Sequence, residues 1–246
     1  MASFFQNFPK VYYRFGDAEK AVIFNNLTVY IDLIDQLKSQ VEFYQKYTIL
    51  DGDRPDIVST KLYGGAGFHW TFALLNDSIR ESGWPQTEQD IRNLTKLRYP
   101  NRTVVTEEVI ADIFLPGDFV TGKSSNTTGH VVQRNLDLGQ IVIKTIDNNN
   151  FDQTEQLQAG LTAEEQNEAT ITLKSESIQY DAVHHYENAQ GHYVDIDPLD
   201  QDTALLTPVT EMERQLTFNS NLKNISVIKP NAINEVANEF KRLLSQ

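Results

Sequence analysis

The chain has 246 residues, room for one large domain or for two to three small ones. With 40% hydrophobic and 22% charged residues it can bury a core, which excludes wholesale disorder. Its 34 acidic against 21 basic side chains give a net charge of −13, and the absence of cysteine excludes disulfide scaffolds, thiolate zinc sites, iron–sulfur clusters and cysteine nucleophiles. The charge is uneven. Residues 1–100 carry 11 basic and 12 acidic side chains, whereas 101–246 carry 10 and 22. An acidic second half repels phosphate backbones, so no nucleic-acid partner is expected. Met1–Lys10 lacks the basic and apolar regions of a secretory signal, and no apolar run approaches the ~18 residues of a membrane span. Six Asn-x-Ser/Thr sequons therefore carry little weight, and a soluble protein made and used inside a cell is expected.

Residues 1–45 open with an aromatic cluster, Phe4, Phe5, Phe8, Tyr12, Tyr13 and Phe15, too apolar for a solvated tail. Ile31, Ile34, Leu37 and Val41 then recur at helical spacing, predicting an amphipathic helix over 28–44 that packs on its own domain or clasps a partner. Tyr47–Leu50 reads as a strand, stopped by a turn at Asp51-Gly52-Asp53 that offers a helix N-cap. Pro55 suits an early helical position, and Ile57, Val58, Lys61 and Leu62 carry a helix to Tyr63-Gly64-Gly65. A second helix bears Trp70, Leu74 and Leu75 and ends near Asn76. Gly83-Trp84-Pro85 leads into another over 87–98, with Ile91, Leu94 and Leu97 on one face.

Beyond residue 110 the pattern turns to strands. Phe119-Val120, Val131-Val132, Ile141–Ile143 and Ile171–Leu173 are short β-prone runs between Gly, Asn and Asp turns. The polar stretch 147–167 reads as a mobile loop, and 178–196 as a hairpin turning near Asn188–Gly191. Ile225, Val227 and Ile228 before Pro230 read as a docking strand. The last helix, 231–244, aligns Ile233, Val236, Ala237, Phe240, Leu243 and Leu244 on one stripe, core or interface.

Three constellations invite a chemical reading. Gly117–Ser124 satisfies G-x-x-x-x-G-K-[ST], the phosphate-cradling pattern. Its context argues against a nucleotide: a phosphate loop opens a helix, and Ser125–Val132 are poor helix formers with a glycine in the second turn. His184, His185, His192, Asp195 and Asp197 crowd 14 residues, yet neighbours on a strand point to opposite faces, so surface or packed histidines are expected and no metal. Glu211 and Glu213 lie two apart near Arg214, which suggests a charged rim on an assembly contact and leaves a catalytic carboxylate pair open. No G-x-S-x-G or H-E-x-x-H is present. No enzyme and no cofactor are expected.

The run YTILDGDRPDIVSTKLYGGAGFHWTFALLND resembles a LysM module in Gly52-Asp53, Ile57-Val58, Tyr63-Gly64, Trp70 and Asn76. It departs at Arg54, where most such modules have Thr, and no closing strand is evident after Asn76. With His69-Trp70, Trp84-Pro85 and the C-terminal EMERQLTFNSNLKNISVIKPNAINEVANEFKRLL, the chain is similar to the baseplate wedge protein family called gene product 53 in T-even-type contractile phages, over roughly 1–110 and 205–246. The resemblance implies an α+β fold in four parts. These are an N-terminal arm and helix (1–45), a LysM-like βαα core with the following helix (46–110), a β-rich insert (111–205) and a closing strand and helix (206–246). It also implies a structural subunit of the virion, six copies per baseplate, joined to the sheath-initiator-like and fork-forming wedge subunits and to the hub, with no membrane partner. Candidate contacts are Phe4, Phe5, Phe8, Tyr12, Tyr13, Trp84, Ile225, Val227, Phe240 and Leu243. The rival implication is a peptidoglycan- or chitooligosaccharide-binding module using Asp51, Gly52, Asp53, Arg54, Tyr63, Gly64, Trp70 and Asn76.

Overall fold

The computed structural model describes residues 10–16, 20–25, 43–147, 149–160, 166–197, 199 and 203–244, with backbone alone for 166–168 and 243–244. It is a mixed α+β protein that divides into two compact units, one built from 1–87 with 219–246 and the other from 88–218. The expected helix over 28–44 and Phe4, Phe5 and Phe8 lie outside the described residues, apart from the end of that stretch at 43–44. Among the described residues no helix is long and apolar enough to cross a membrane.

Unit 1 holds a two-stranded antiparallel sheet of β3 (Tyr44–Thr48) and β14 (Asn224–Ile228), in the register Thr48 to Asn224 through Tyr44 to Ile228. The strand that pairs with β3 thus comes from far along the chain and not from the residues that follow Asn76. After β3, the amide of Asp53 donates to the carbonyl of Leu50 across a turn with Gly52 at φ +80°, a conformation that glycine adopts without strain. Helix α1 (Pro55–Tyr63) follows with Pro55 in its first turn. Its N-cap is Arg54, which makes no side-chain cap, and the Asp53 carboxylate is committed to Lys61 instead (2.6 Å). Gly64 ends α1 in the left-handed region, its amide reaching the Thr60 carbonyl. A 3₁₀ turn (Ala66–Phe68) then leads to α2 (Trp70–Leu75), followed directly by α3 (Asp77–Ser82).

Two apolar clusters hold this arrangement. One gathers Leu74, Ile228, Ile233, Val236 and Phe240; the other Ile49, Val58, Phe72, Ile79, Leu222, Ile225 and Val227. Helix α6 (Ile233–Leu244) turns the stripe read from its spacing inward, as the 3.6-residue period requires. Ile225, Val227 and Phe240, taken as partner contacts, are therefore core residues at 1%, 0% and 2% exposure. A strand placed far along the chain reads as a docking strand because its own partner strand lies some 180 residues earlier in the sequence.

Asn76 ties helix to strand. Its amide nitrogen donates to the carbonyls of Phe72 and Ser226, both at 2.8 Å, and its oxygen accepts from the Ser226 amide at 2.8 Å. Asn76→Ala leaves both backbone groups of Ser226 without these partners. It is expected to lower stability by about 2–3 kcal/mol, measured as a shift of the urea midpoint of tryptophan fluorescence.

Unit 2 opens with α4 (Glu88–Arg98), on which Ile91 is half-buried while Leu94 and Leu97 are exposed. It contains β4 (Arg102–Val105), β5 (Phe119–Gly122), β6 (Thr128–Asn135), β7 (Gln140–Thr145), β8 (Gln156–Gly160), β9 (Gln166–Thr172) and β10 (Ser175–Ile178). These form one antiparallel sheet in the order β10-β4-β7-β6-β5-β8-β9. Its two edge strands, β9 and β10, are joined by Leu173 and Lys174 alone, so the sheet must curl round its core of Val104, Ile141, Ile143, Leu157 and Ile171. The stretch 147–167, read as a mobile loop, holds β8 and a buried Phe151, Leu157 and Ala159. Its polar residues alternate with these, which hides a strand from a reading by composition. A smaller sheet joins β11 (Val183–Glu187), β12 (Tyr193–Val194) and β13 (Thr207–Thr210), with the expected turn at Asn188–Gly191. Helix α5 (Glu211–Leu222) begins in unit 2 and gives its last turn to unit 1.

Candidate functional site

The residues that carry the LysM resemblance are engaged within unit 1. Tyr63 donates its hydroxyl to the Ile228 carbonyl at 3.0 Å, and burial pushes its pKa up to about 12. Trp70 packs on Phe240 with ring centroids 4.7 Å apart. Trp84 donates its indole N–H to the Asp53 carbonyl at 2.7 Å and tilts against Phe72. Asp51 accepts from Lys223 at 2.9 Å, and the exposed Arg54 pairs with Asp56 at 3.1 Å. Gly52 and Gly64 shape the two turns. Asp53, at the centre of the expected glycan groove, is engaged through both its carboxylate and its carbonyl.

Gly117–Ser124 runs into a strand and a hairpin turn in place of a helix: Phe119–Gly122 is β5, and the chain returns along β6 from Thr128. The amides that a phosphate would occupy already hold an anion. Glu155 accepts from the amides of Ser124 (2.9 Å), Ser125 (3.1 Å) and Asp152 (2.6 Å) and from the Ser125 hydroxyl (2.8 Å). Burial pushes this carboxyl up, but the four hydrogen bonds outweigh it and hold the pKa below the usual range. A Cβ at Gly122 would stand 2.5 Å from the Ser125 hydroxyl and 2.6 Å from the carboxylate, so a side chain there would displace both.

His184 and His185 share a face despite being adjacent. The β11–β13 register slips between Val183 and His185, a bulge that turns both imidazoles together, with Nδ1 atoms 3.0 Å apart. His185 stacks on Tyr193 and contacts Glu187. Among the described residues no three His, Asp or Glu side chains converge as metal ligands would. Glu211 and Glu213, by contrast, go to different places. Glu213 and Thr210 form a reciprocal helix cap, the Glu213 amide donating to the Thr210 hydroxyl oxygen and its carboxylate accepting from the Thr210 amide. Glu211 is buried and belongs to a cleft.

That cleft, about 310 Å3, lies wholly within unit 2. One face of the sheet supplies its floor. In β4 and β7, Val104, Ile141 and Ile143 turn to the core, so Thr103, Gln140 and Val142 turn the other way. The register sets Thr103, Val142 and Gln133 in one row, with Gln140 and Asn135 in the next. Tyr99, Gln179, His184, Glu211 and Arg214 line the rest of it, with Ala182 and Val183. Arg214 grips Glu211 with two nitrogens (2.7 and 3.2 Å), and Gln215 adds a third bond at 2.8 Å. Burial raises the Glu211 carboxyl, yet the bonds from Arg214, Gln215 and Tyr99 leave it lowered. Tyr99 is raised, by burial and then by Glu211. His184, 3.9 Å from Glu211, is lowered by burial and then by the Arg214 charge.

The sequence singles out His184, Glu211 and Arg214, though not as one site, and gives no sign of Thr103, Gln133 and Asn135. The available signal was the alternation of polar residues with Val and Ile along β4, β6 and β7, where a one-sided sheet shows water-facing positions. On the N-terminal arm, β1 (Lys10–Tyr13) pairs with β2 (Val22–Asn25) as a ribbon on which Tyr12, Tyr13 and Phe15 are 70%, 56% and 59% exposed. Leu243 has no described side chain. No protein-family model and no curated protein matches this chain.

Proposed function

We propose that this protein is a non-enzymatic structural subunit of a contractile phage tail baseplate wedge. It would join wedge subunits to one another and to the hub through protein–protein contacts, in six copies per baseplate. The observation that carries the reading is the β1–β2 ribbon. Two-stranded ribbons are marginal in water, and this one shows Val11, Tyr12, Tyr13, Phe15, Ile23 and Phe24 to solvent, an apolar surface that a partner would cover. Obligate interfaces are apolar and aromatic at their centres, which suits such a ribbon. The exposed Leu94 and Leu97 of α4 offer a second, smaller contact.

Unit 1 supports the LysM-like part of the resemblance: β3 is followed by α1 and α2, with the short α3 after them, and pairs antiparallel with β14, which Tyr63 and Asn76 fasten. The glycan-binding alternative has less support, because Asp53, Lys61 and Trp84 satisfy one another.

Size-exclusion chromatography with light scattering, on the chain mixed with the other wedge subunits of its virus, tests the proposal. A stoichiometric complex is expected with the sheath-initiator-like or fork-forming subunits, and the triple variant Tyr12→Ser, Tyr13→Ser, Phe24→Ser is expected to lose it while keeping its unfolding midpoint. A chain that stays monomeric beside every subunit, yet is retained on peptidoglycan sacculi, overturns the wedge reading in favour of the glycan one.

A further inference from the structure

The cleft of unit 2 is more than a gap between elements. Thr103 on its floor is 1% exposed, and its hydroxyl has no hydrogen-bond partner among the described residues. Strand alternation turns that side chain away from the apolar core and toward the cleft, in one row with Val142 and then Gln133, and one row away from Gln140 and Asn135. A buried hydroxyl left without a partner costs about 1–3 kcal/mol, a cost that valine at this place would avoid. The cost is recovered when something in the cleft bonds to it.

The lining selects the chemistry. Glu211 and Arg214 neutralise each other, and besides His184 the remaining polar groups, Gln133, Asn135, Gln140, Gln179, Thr103 and Tyr99, are uncharged. Burial and then the Arg214 charge lower the pKa of His184, which disfavours its charged form. An anion in the cleft would meet the Glu211 carboxylate, and a cation the Arg214 guanidinium, each at short range. What remains is a neutral ligand whose groups both donate and accept, because amides, hydroxyls and the Glu–Arg pair present both functions side by side. Hydroxyls on adjacent carbons do this, and the volume lies at the small end of ligand cavities (~300–1,000 Å3).

We propose that this cleft binds a single pyranose unit, a neutral sugar held by Thr103, Gln133, Asn135 and the Glu211–Arg214 pair. The site is independent of the wedge reading and distinct from the turn at Asp51–Arg54, since its lining belongs to unit 2 alone.

The test is saturation-transfer difference NMR on the full chain with D-glucose, D-galactose, D-mannose and N-acetylglucosamine, each at millimolar concentration, and with acetate and methylammonium as charged probes. Saturation transfer to at least one sugar is expected, with a Kd raised about tenfold or more by Thr103→Val and by Asn135→Ala. Thr103→Val is near isosteric and removes an unpartnered hydroxyl, so its urea midpoint should equal or exceed that of the parent. Transfer to none of the four sugars overturns the proposal, as does sugar binding that both variants leave unchanged. Acetate or methylammonium binding in preference to every sugar overturns it as well.

Discussion

Removal of residues 224–246 is expected to abolish the cooperative unfolding of unit 1. Those residues carry β14 and α6, and with them Ile225, Val227, Ile228, Ile233, Val236 and Phe240 of its two apolar clusters. At roughly 1.5–3 kcal/mol for each fully buried side chain, their loss outweighs the ~5–15 kcal/mol by which a domain is held. The readout is selective because both tryptophans of the chain, Trp70 and Trp84, lie in unit 1. The shortened chain should show solvent-exposed emission and no urea transition in tryptophan fluorescence. A retained sigmoidal transition would mean that β3, α1 and α2 hold together without β14.

The second large effect is expected from Glu155→Ala. The substitution strips four donors of their acceptor, three of them backbone amides at the β5–β6 turn and at Asp152. Hydrogen bonds to a charged group contribute about 1.5–3 kcal/mol each and are not additive, so a loss of roughly 3 kcal/mol or more is expected for unit 2. The pH dependence has a definite sign. Because the folded pKa lies below the ordinary value of 4.5, the contribution is fully present above that value and is lost as the pH falls through the folded one. The parent should therefore weaken on acidification in a window that Glu155→Ala lacks. Urea unfolding followed by far-UV circular dichroism between neutral pH and about pH 3 measures both. Equal acid sensitivity in parent and variant would show that the carboxylate is not the group responsible.

Much of the fold is legible because local patterns agree with their surroundings. Gly52, Pro55 and Gly64 bound α1 through backbone geometry alone, and the stripe from Ile233 to Phe240 buries itself as its spacing dictates. The failures share a cause, which is distance along the chain. Nothing near Asn224–Ile228 tells that its partner strand is Tyr44–Thr48, so a core strand passes for a docking strand. The polar stretch around Glu155 passes for a loop because its buried carboxylate finds its donors about 30 residues away, at Ser124 and Ser125. The cleft shows the same limit. Thr103, Gln133 and Asn135 come to one face of the sheet only through the register of β4, β7 and β6. That His184 and His185 face the same way has a local reason, since a one-residue bulge overrides the strand rule by which adjacent side chains diverge.

Within unit 1, the two ends of its split chain meet. The Gln86 amide donates to the Asn219 side chain at 2.9 Å, and Asn219 returns a bond to the Gln86 carbonyl at 2.9 Å. The consequence falls on synthesis at the ribosome. When residue 87 has been made, Val58, Phe72 and Leu74 are ready but their covering strand is not, and about 130 residues of unit 2 must come first. At about 5–20 residues per second, the half-built module waits on the order of ten seconds. During that interval β3 is an edge strand with no mate. A chaperone, or an early-folding unit 2, has the most to contribute in those seconds, and any mutation that stalls translation between 88 and 218 acts on unit 1 without touching one of its contacts.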